Sequence, residues 1–385
     1  MNIIDKIILD AKEILKEHDL CNNCLGRLFA PKLGITSNTR LGKKIKNILE
    51  EDQSETCYIC KNMMSKLGVQ LTKMFEKSTD YEFSTFLVGA ILQPSVQDRD
   101  DLIRSKFKLR GTNSIKTDVT REIGKRFGRK TKTQVNYQNP DIVFTIDFKK
   151  EEFELKSKPL FFSGRYTKNI RGIPQKQKPC KQCVGRGCQA CKYHGISEFE
   201  SVEGKIAKFL HEKFNAQHAK ITWVGSESET SLVLGKGRPF FVKLTNPHKR
   251  KIRLEKKIPL GEVTIHSLKI INKIPTKIIR FKSKVEMEIL TKDEIKTIQL
   301  KRLRKLETMP ISVYDNSGKM TQKRIYKIQY KVKSDNSFFV VMKADSGIPL
   351  KRFVDGSEVS PSLSTILENP CKCKSFDFYE IVLTN

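Results

Sequence analysis

Cys180-Lys181-Gln182-Cys183-Val184-Gly185-Arg186-Gly187-Cys188-Gln189-Ala190-Cys191 places four thiols in two C-x-x-C steps, with glycines that permit the reversals needed to gather four sulfurs. Three residues of spacing let two thiolates grip one tetrahedral ion through a tight turn, so the stretch predicts a zinc knuckle. The remaining six of the ten cysteines are also paired: Cys21/Cys24, Cys57/Cys60 and Cys371/Cys373. Cys21, Cys24, Cys57 and Cys60 make a second four-sulfur set. A closed Cys₄ shell leaves no position for water, so its expected role is to staple the N-terminal helices. Cys371 and Cys373 are too close together to complete a site alone and read as two reduced surface thiols. Such regular pairing, with no secretory signal, favours structural zinc at one or two sites over disulfides. The six histidines show no metal-ligand spacing.

The sequence has 385 residues, 73 Lys+Arg against 43 Asp+Glu and a formal net charge of +30. An excess this large implies an extended anionic partner, and nucleic acid is the commonest. At 38% hydrophobic residues the chain can bury ordinary cores, and no apolar run is long enough to span a membrane. Ile3, Ile4, Ile7, Ile8, Ala11, Ile14 and Leu15 recur at helical spacing with acids between them. That pattern is an amphipathic helix and not a signal peptide, which implies a cytoplasmic protein.

From about residue 81 to 165 the pattern alternates: Phe83–Ile91 predicts a strand, Asp118–Phe127 a helix and Asp141–Phe148 a strand. Seven basic residues against two acids lie between Lys116 and Lys132. Lys125, Arg126, Arg129, Lys130 and Lys132 follow one another without an acid, as suits a phosphate-binding ridge. Beyond residue 195 a helix over Ser201–Phe214 is followed by strands at Val263–Ile271, Val285–Leu290, Ile325–Val332 and Phe338–Met342. Basic stretches at Lys249, Arg250, Lys251 and Arg253, and at Lys301, Arg302, Arg304 and Lys305, would extend the ridge into an RNA track.

Arg110-Gly111, Ile115 to Asp118, Arg121 to Gly124 and Asn139-Pro140-Asp141 resemble the second half of a THUMP domain, an α/β module that captures the acceptor-stem end in tRNA-modifying enzymes. Phe162-Ser163-Gly164-Arg165-Tyr166, the knuckle, Ser201-Val202-Glu203, Gly235-Lys236-Gly237-Arg238-Pro239-Phe240 and Asn246-Pro247-His248 follow in order. This succession resembles the archaeal and eukaryotic pseudouridine synthases that act on positions 54 and 55 of tRNA, with the second knuckle in the archaeal manner. The resemblance implies an α+β protein in four parts. Residues 1–80 would be a zinc-stapled helical segment, 81–170 a THUMP-like α/β module, 171–195 the knuckle, and 196–385 a pseudouridine-synthase-like domain with a mixed or antiparallel sheet. It also implies tRNA contacts from Arg110, Lys116, Arg121, Lys125, Arg126, Arg129, Lys130 and Arg238.

The same resemblance implies one indispensable Asp, seven residues before the first Gly of Gly-x-Gly-Arg-Pro-Phe. That position is Ser228, and the family's Arg two residues earlier is Ser226. Glu227 and Glu229 are the neighbouring carboxylates that could substitute. Two aromatics expected to flank the target base are Val285 and Pro349. Two expectations follow. One is a tRNA pseudouridine synthase with a diverged site; the other is a catalytically silent tRNA chaperone, or a partner of another tRNA-modifying enzyme.

Overall fold

The computed structural model describes residues 3–53, 55–277, 279–315 and 317–384. The chain divides into two compact units, Met1–Lys158 and Pro159–Asn385.

The first unit opens with helices α1 (Ile3–Glu17), α2 (Asn22–Phe29), α3 (Asn38–Leu49) and α4 (Leu67–Ser78). The α/β module continues with β1 (Thr85–Ile91), α5 (Pro94–Lys106), α6 (Ile115–Thr131), β2 (Gln134–Val135), β3 (Ile142–Asp147) and β4 (Glu152–Ser157). Its sheet order is β2-β1-β3-β4, with β1 parallel to both β2 and β3 and β4 antiparallel to β3. Ser114 ends the approach to α6 by accepting the Thr117 N–H at 3.2 Å, the ordinary N-cap arrangement. Ile7, Ala11 and Ile14 of α1 are buried in the same core as Phe86, Phe127 and Phe144, so the apolar stripe of α1 is inward as expected. Polar links join helices to module. Buried Arg27 of α2 ion-pairs with Asp100 of α5, and Asn38 donates to Asp118 at 2.5 Å. The stretch before residue 81 and the module after it therefore share one core.

The second unit begins with β5 (Leu160–Lys168), α7 (Val202–Phe214), β6 (His218–Trp223), β7 (Val233–Thr245), β8 (Lys257–Leu260) and β9 (Val263–Ile271). It continues with β10 (Arg280–Thr291), α8 (Thr297–Lys301), β11 (Ile311–Tyr314), β12 (Met320–Lys323), β13 (Ile325–Ser334) and β14 (Ser337–Asp345). Last come α9 (Leu350–Asp355), β15 (Val359–Ser360), α10 (Leu363–Leu367) and β16 (Cys371–Thr384). Nine strands form one mixed sheet in the order β13-β14-β10-β16-β7-β5-β9-β8, with β6 also on β7; β7 and β16 run parallel and the rest antiparallel. A small sheet, β12-β11-β15, stands apart.

Two expectations change here. The boundary expected after residue 170 falls at Lys158/Pro159, because β5 is hydrogen-bonded between β7 and β9 of the second unit. Cys371 is not a surface thiol: β16 lies inside the sheet, Cys371 is buried and Cys373 half-buried. Burial pushes both thiols up to about 11.

Candidate active site

The Gly235-Lys236-Gly237-Arg238 segment opens β7 in a conformation that only glycine fits. Gly235 and Gly237 have φ of +58° and +71°. A Cβ at either would stand 2.3 Å from the Tyr379 carbonyl oxygen or 2.5 Å from that of Tyr166. This close approach lets β7 run beside β5 and β16 at once and carries Arg238 inward. Arg238 is fully buried, donates to the Val224 carbonyl at 2.8 Å and lies 4.3 Å from the centre of the Phe378 ring.

Between β6 and β7 the loop Gly225–Ser231 rests on a buried ion cluster. The Glu227 carboxylate has no exposed surface and meets Lys168 Nζ at 3.3 Å and Arg238 Nε at 3.4 Å. Lys168 Nζ also donates to the carbonyls of Ile173, Ser228 and Glu229 at 2.9, 3.2 and 3.4 Å. Burial pulls the Lys168 pKa down, and the Glu227 charge opposes that shift. A second tie runs to β16: Arg171 forks onto both oxygens of Asp377 at 2.7 Å, and Asp377 accepts the Leu232 N–H at 2.8 Å. Among the described residues the Ser228 hydroxyl has local partners only, Thr230 Oγ1 at 3.0 Å and the Thr230 N–H at 3.3 Å.

Above this loop lies a cleft of about 790 Å³. Ser226 and Ser228 form one side of it, and Phe281, Phe376 and Phe378 give it aromatic walls. Lys323, Lys351 and Arg352 make part of it basic. Its second carboxylate besides Glu227 is Asp345, at the end of β14. Asp345 is half-exposed and accepts the Arg324 N–H and the Tyr326 hydroxyl, each at 3.0 Å. Tyr326 occupies the register shift between Ile325 and Lys327. Such bulges re-aim side chains at the margins of sites.

The expected site residues fall differently about this cleft. Glu227 cannot meet a substrate, because its carboxylate is enclosed between two cations, and Glu229 is exposed and absent from the cleft's lining. Arg238 is not on the open surface: it is fully buried at the base of the cleft, ion-paired with Glu227 and donating to the Val224 carbonyl. Val285 shares the β10 face of Phe281 and Ser283 and pairs with Met342, but it is fully buried one step further along the strand and is not in the cleft's lining, whereas Pro349 is.

Among the described residues two groups could hold a metal ion: Cys21, Cys24, Cys57 and Cys60, and Cys180, Cys183, Cys188 and Cys191. Within each, all four sulfurs lie within 4.8 Å of one another, and Cys21–Cys60, Cys183–Cys191 and Cys188–Cys191 are each 3.8 Å apart. In the first group hydrogen bonds from Cys21 and then Cys24 push Cys57 down, while those to Cys21 and Cys57 push Cys24 up. Four sulfurs this close cannot all ionise without a cation. In the second, burial would raise Cys191, but N–H groups of Cys188 and Gly195 outweigh it and bring the thiol down to about 6.

The basic helix α6 carries its charges outward. Arg110, Lys116, Arg121, Arg126, Arg129 and Lys130 are exposed and Lys125 is half-buried. Arg121 is held by Asp118 at 2.7 Å, and Lys130 lies 4.1 Å from the centre of the Phe75 ring. Beside α6 is a cleft of about 440 Å³, lined in part by Arg121, Lys125 and Tyr137, a residue that is 79% exposed.

Residues 71–147 match the model of the archaeal Pus10 THUMP domain and residues 161–382 that of the Pus10 C-terminal domain. The chain belongs to the Pus10 family. A curated relative named tRNA pseudouridine synthase Pus10, from Nitrosopumilus maritimus (strain SCM1), is 48% identical over 381 residues, covering 99% of both chains. Proteins of the same name from Cenarchaeum symbiosum (strain A) and Methanocaldococcus jannaschii are 35% and 30% identical, covering 94% and 96% of this chain and 90% and 93% of theirs.

Within this Pus10 chain the sequence reasoning missed Asp345, the aromatic walls and Lys168. Phe376 and Phe378 carry a signal in their period-two spacing on one strand. Asp345 adjoins the Ser346-Gly347 pair and could have been flagged as a cleft carboxylate only once β14 was placed. Lys168 carries no local signal at all.

Proposed function

We propose that this chain is a tRNA-binding member of the Pus10 family whose cleft receives an everted nucleotide but does not isomerise it through the family's usual position. The single observation that carries the reading is the Ser226–Glu229 loop. Its supports are intact, and the side chain it offers to the cleft at the family's Asp position is the neutral hydroxyl of Ser228. A serine presents no anion at neutral pH without a strong base beside it, and losing such a group usually costs about 3–5 kcal/mol of barrier. The aromatic walls suit an unstacked base and the basic rim its phosphates. Uridines 54 and 55 of tRNA are the expected occupants, with the helix α6 ridge supplying further contacts to the same RNA. A partner tRNA-modifying enzyme in the cytoplasm is the setting this reading implies.

A second reading rests on Asp345. If isomerisation proceeds, Asp345 is the solvent-accessible carboxylate of the cleft; Glu227 also borders it but is fully buried between Lys168 and Arg238, and Glu229 is outside it.

Zinc suits both cysteine groups. Four thiolates at ~2.3 Å from one ion form a tetrahedron with edges of ~3.8 Å, the separation of the closest sulfur pairs. The Cys₄ sets are closed, so zinc there would hold structure: Cys21, Cys24, Cys57 and Cys60 would staple the N-terminal helices to the module, and the knuckle would order residues 171–195.

Binding of an unmodified tRNA transcript, followed across a salt series, tests the RNA reading. Replacing Lys125, Arg126, Arg129 and Lys130 together by Ala should flatten the slope of log K against log salt by roughly two to four. No measurable binding by the parent chain at low salt would contradict it.

A further inference from the structure

On the solvent face of the second unit's large sheet, three lysines stand directly opposite one another across three adjacent strands. Lys327 of β13 is in register with Lys343 of β14, and Lys343 with Lys284 of β10. All three are exposed. Directly opposed residues have Cβ atoms ~4.5–5.5 Å apart, so three ammonium groups share a row about 10 Å long. Like charges in this relation destabilise a sheet.

The surroundings do not relieve the row fully. Next along it, opposite Lys284, is Glu380 of β16, and its carboxylate is already bound by Lys236 at 3.1 Å. Toward one end lie Asp345, occupied by Arg324 and Tyr326, and Lys282, whose ammonium is 3.8 Å from the centre of the Tyr326 ring. Toward the other lie Gln329, Val341 and Glu286, which accepts the Tyr379 hydroxyl at 3.4 Å. Lysine on an edge strand is a common guard against unwanted strand pairing, and this accounts for Lys327 on β13. It does not account for Lys343 and Lys284, which are on interior strands. An external polyanion accounts for all three.

We propose that Lys284, Lys343 and Lys327 form a second surface for the sugar–phosphate backbone of tRNA. None of the three lysines lines the cleft: Phe281, Ser283, Met342 and Ala344, which do, alternate to the opposite face of the same strands, and Asp345, at the end of β14, is where the two faces meet. The proposal rests on the tRNA-binding reading above. Lysine ammonium groups at this spacing bind phosphates as point charges, without reading sequence.

The test compares the full chain with the triple variant Lys284→Gln/Lys327→Gln/Lys343→Gln, using an unmodified tRNA transcript across a salt series and thermal unfolding of the free proteins. The triple variant should shorten the salt slope by about two to three. The single change Lys343→Gln, at the centre of the row, should weaken tRNA binding while leaving the free protein's melting temperature equal or higher. An unchanged slope in a triple variant that still folds overturns the surface and leaves the tRNA-binding reading standing. Absence of tRNA binding by the parent overturns both. Loss of polyglutamate binding with tRNA binding intact would assign the row to an acidic protein and overturn the RNA proposal.

Discussion

The two sides of the Ser226–Glu229 loop have been kept to different standards. Its inner side is a closed set of charges, with Glu227 between Lys168 and Arg238 and the loop carbonyls tied to Lys168. Its outer side offers the cleft the hydroxyls of Ser226 and Ser228, while the Glu227 carboxylate beneath is fully buried. A buried carboxylate is tolerable only while its cations stay, so the inner side resists change one residue at a time. The outer side is bathed by the cleft, and a side chain there can be exchanged at little cost to the fold. The contrast teaches that the loop's position is held from its buried side, independently of which side chains it offers to the cleft.

The largest effect should come from the scaffold's metal sites. Protein purified without chelator should contain about two zinc ions per chain, and stripping a closed Cys₄ site should cost on the order of 10 kcal/mol of folding free energy. Metal near zero in well-folded protein whose thiols titrate freely would remove these sites from the scaffold side of the comparison. Next in size is Glu227→Ala, which strands two buried cations and should destabilise the second unit by about 3–5 kcal/mol in denaturant unfolding. A loss below about 1 kcal/mol would show that the inner side is as replaceable as the outer. Smallest is Ser228→Ala. Stability should stay within about 0.5 kcal/mol and tRNA affinity within about threefold, because Ser228 has no buried partner to lose.

Much of the fold was legible because its signals are local. The cysteine pairs announced their own grouping, and the run of basic residues along helix α6 its outward charged face. The misjudged positions depend on partners far along the chain. Arg238 and Glu227 look like surface charges until the fold closes them on Lys168. Strand β5 looked like the tail of the preceding module because its partners, β7 and β9, come only after the knuckle and α7. Val285 is on the cleft-side face of β10, but packing of the second unit's core covers it one step beyond Ser283, which its position in a motif does not reveal. Asp345 was invisible as a site residue because it enters the cleft from the end of a strand unrelated to the motif.

The central claim, that the outer side of the loop no longer carries the reaction, is tested most directly by incubating the purified chain with an unmodified tRNA transcript. Pseudouridine is then marked with a carbodiimide and mapped by primer extension at positions 54 and 55. Ser228→Asp and Asp345→Asn chains are run beside the parent. The account predicts no conversion by the parent or by Asp345→Asn, and at most weak conversion by Ser228→Asp, which restores a carboxylate but not the lost arginine at Ser226. Robust conversion by the parent chain would contradict it, and its loss in Asp345→Asn would identify the acid that took the missing residue's place.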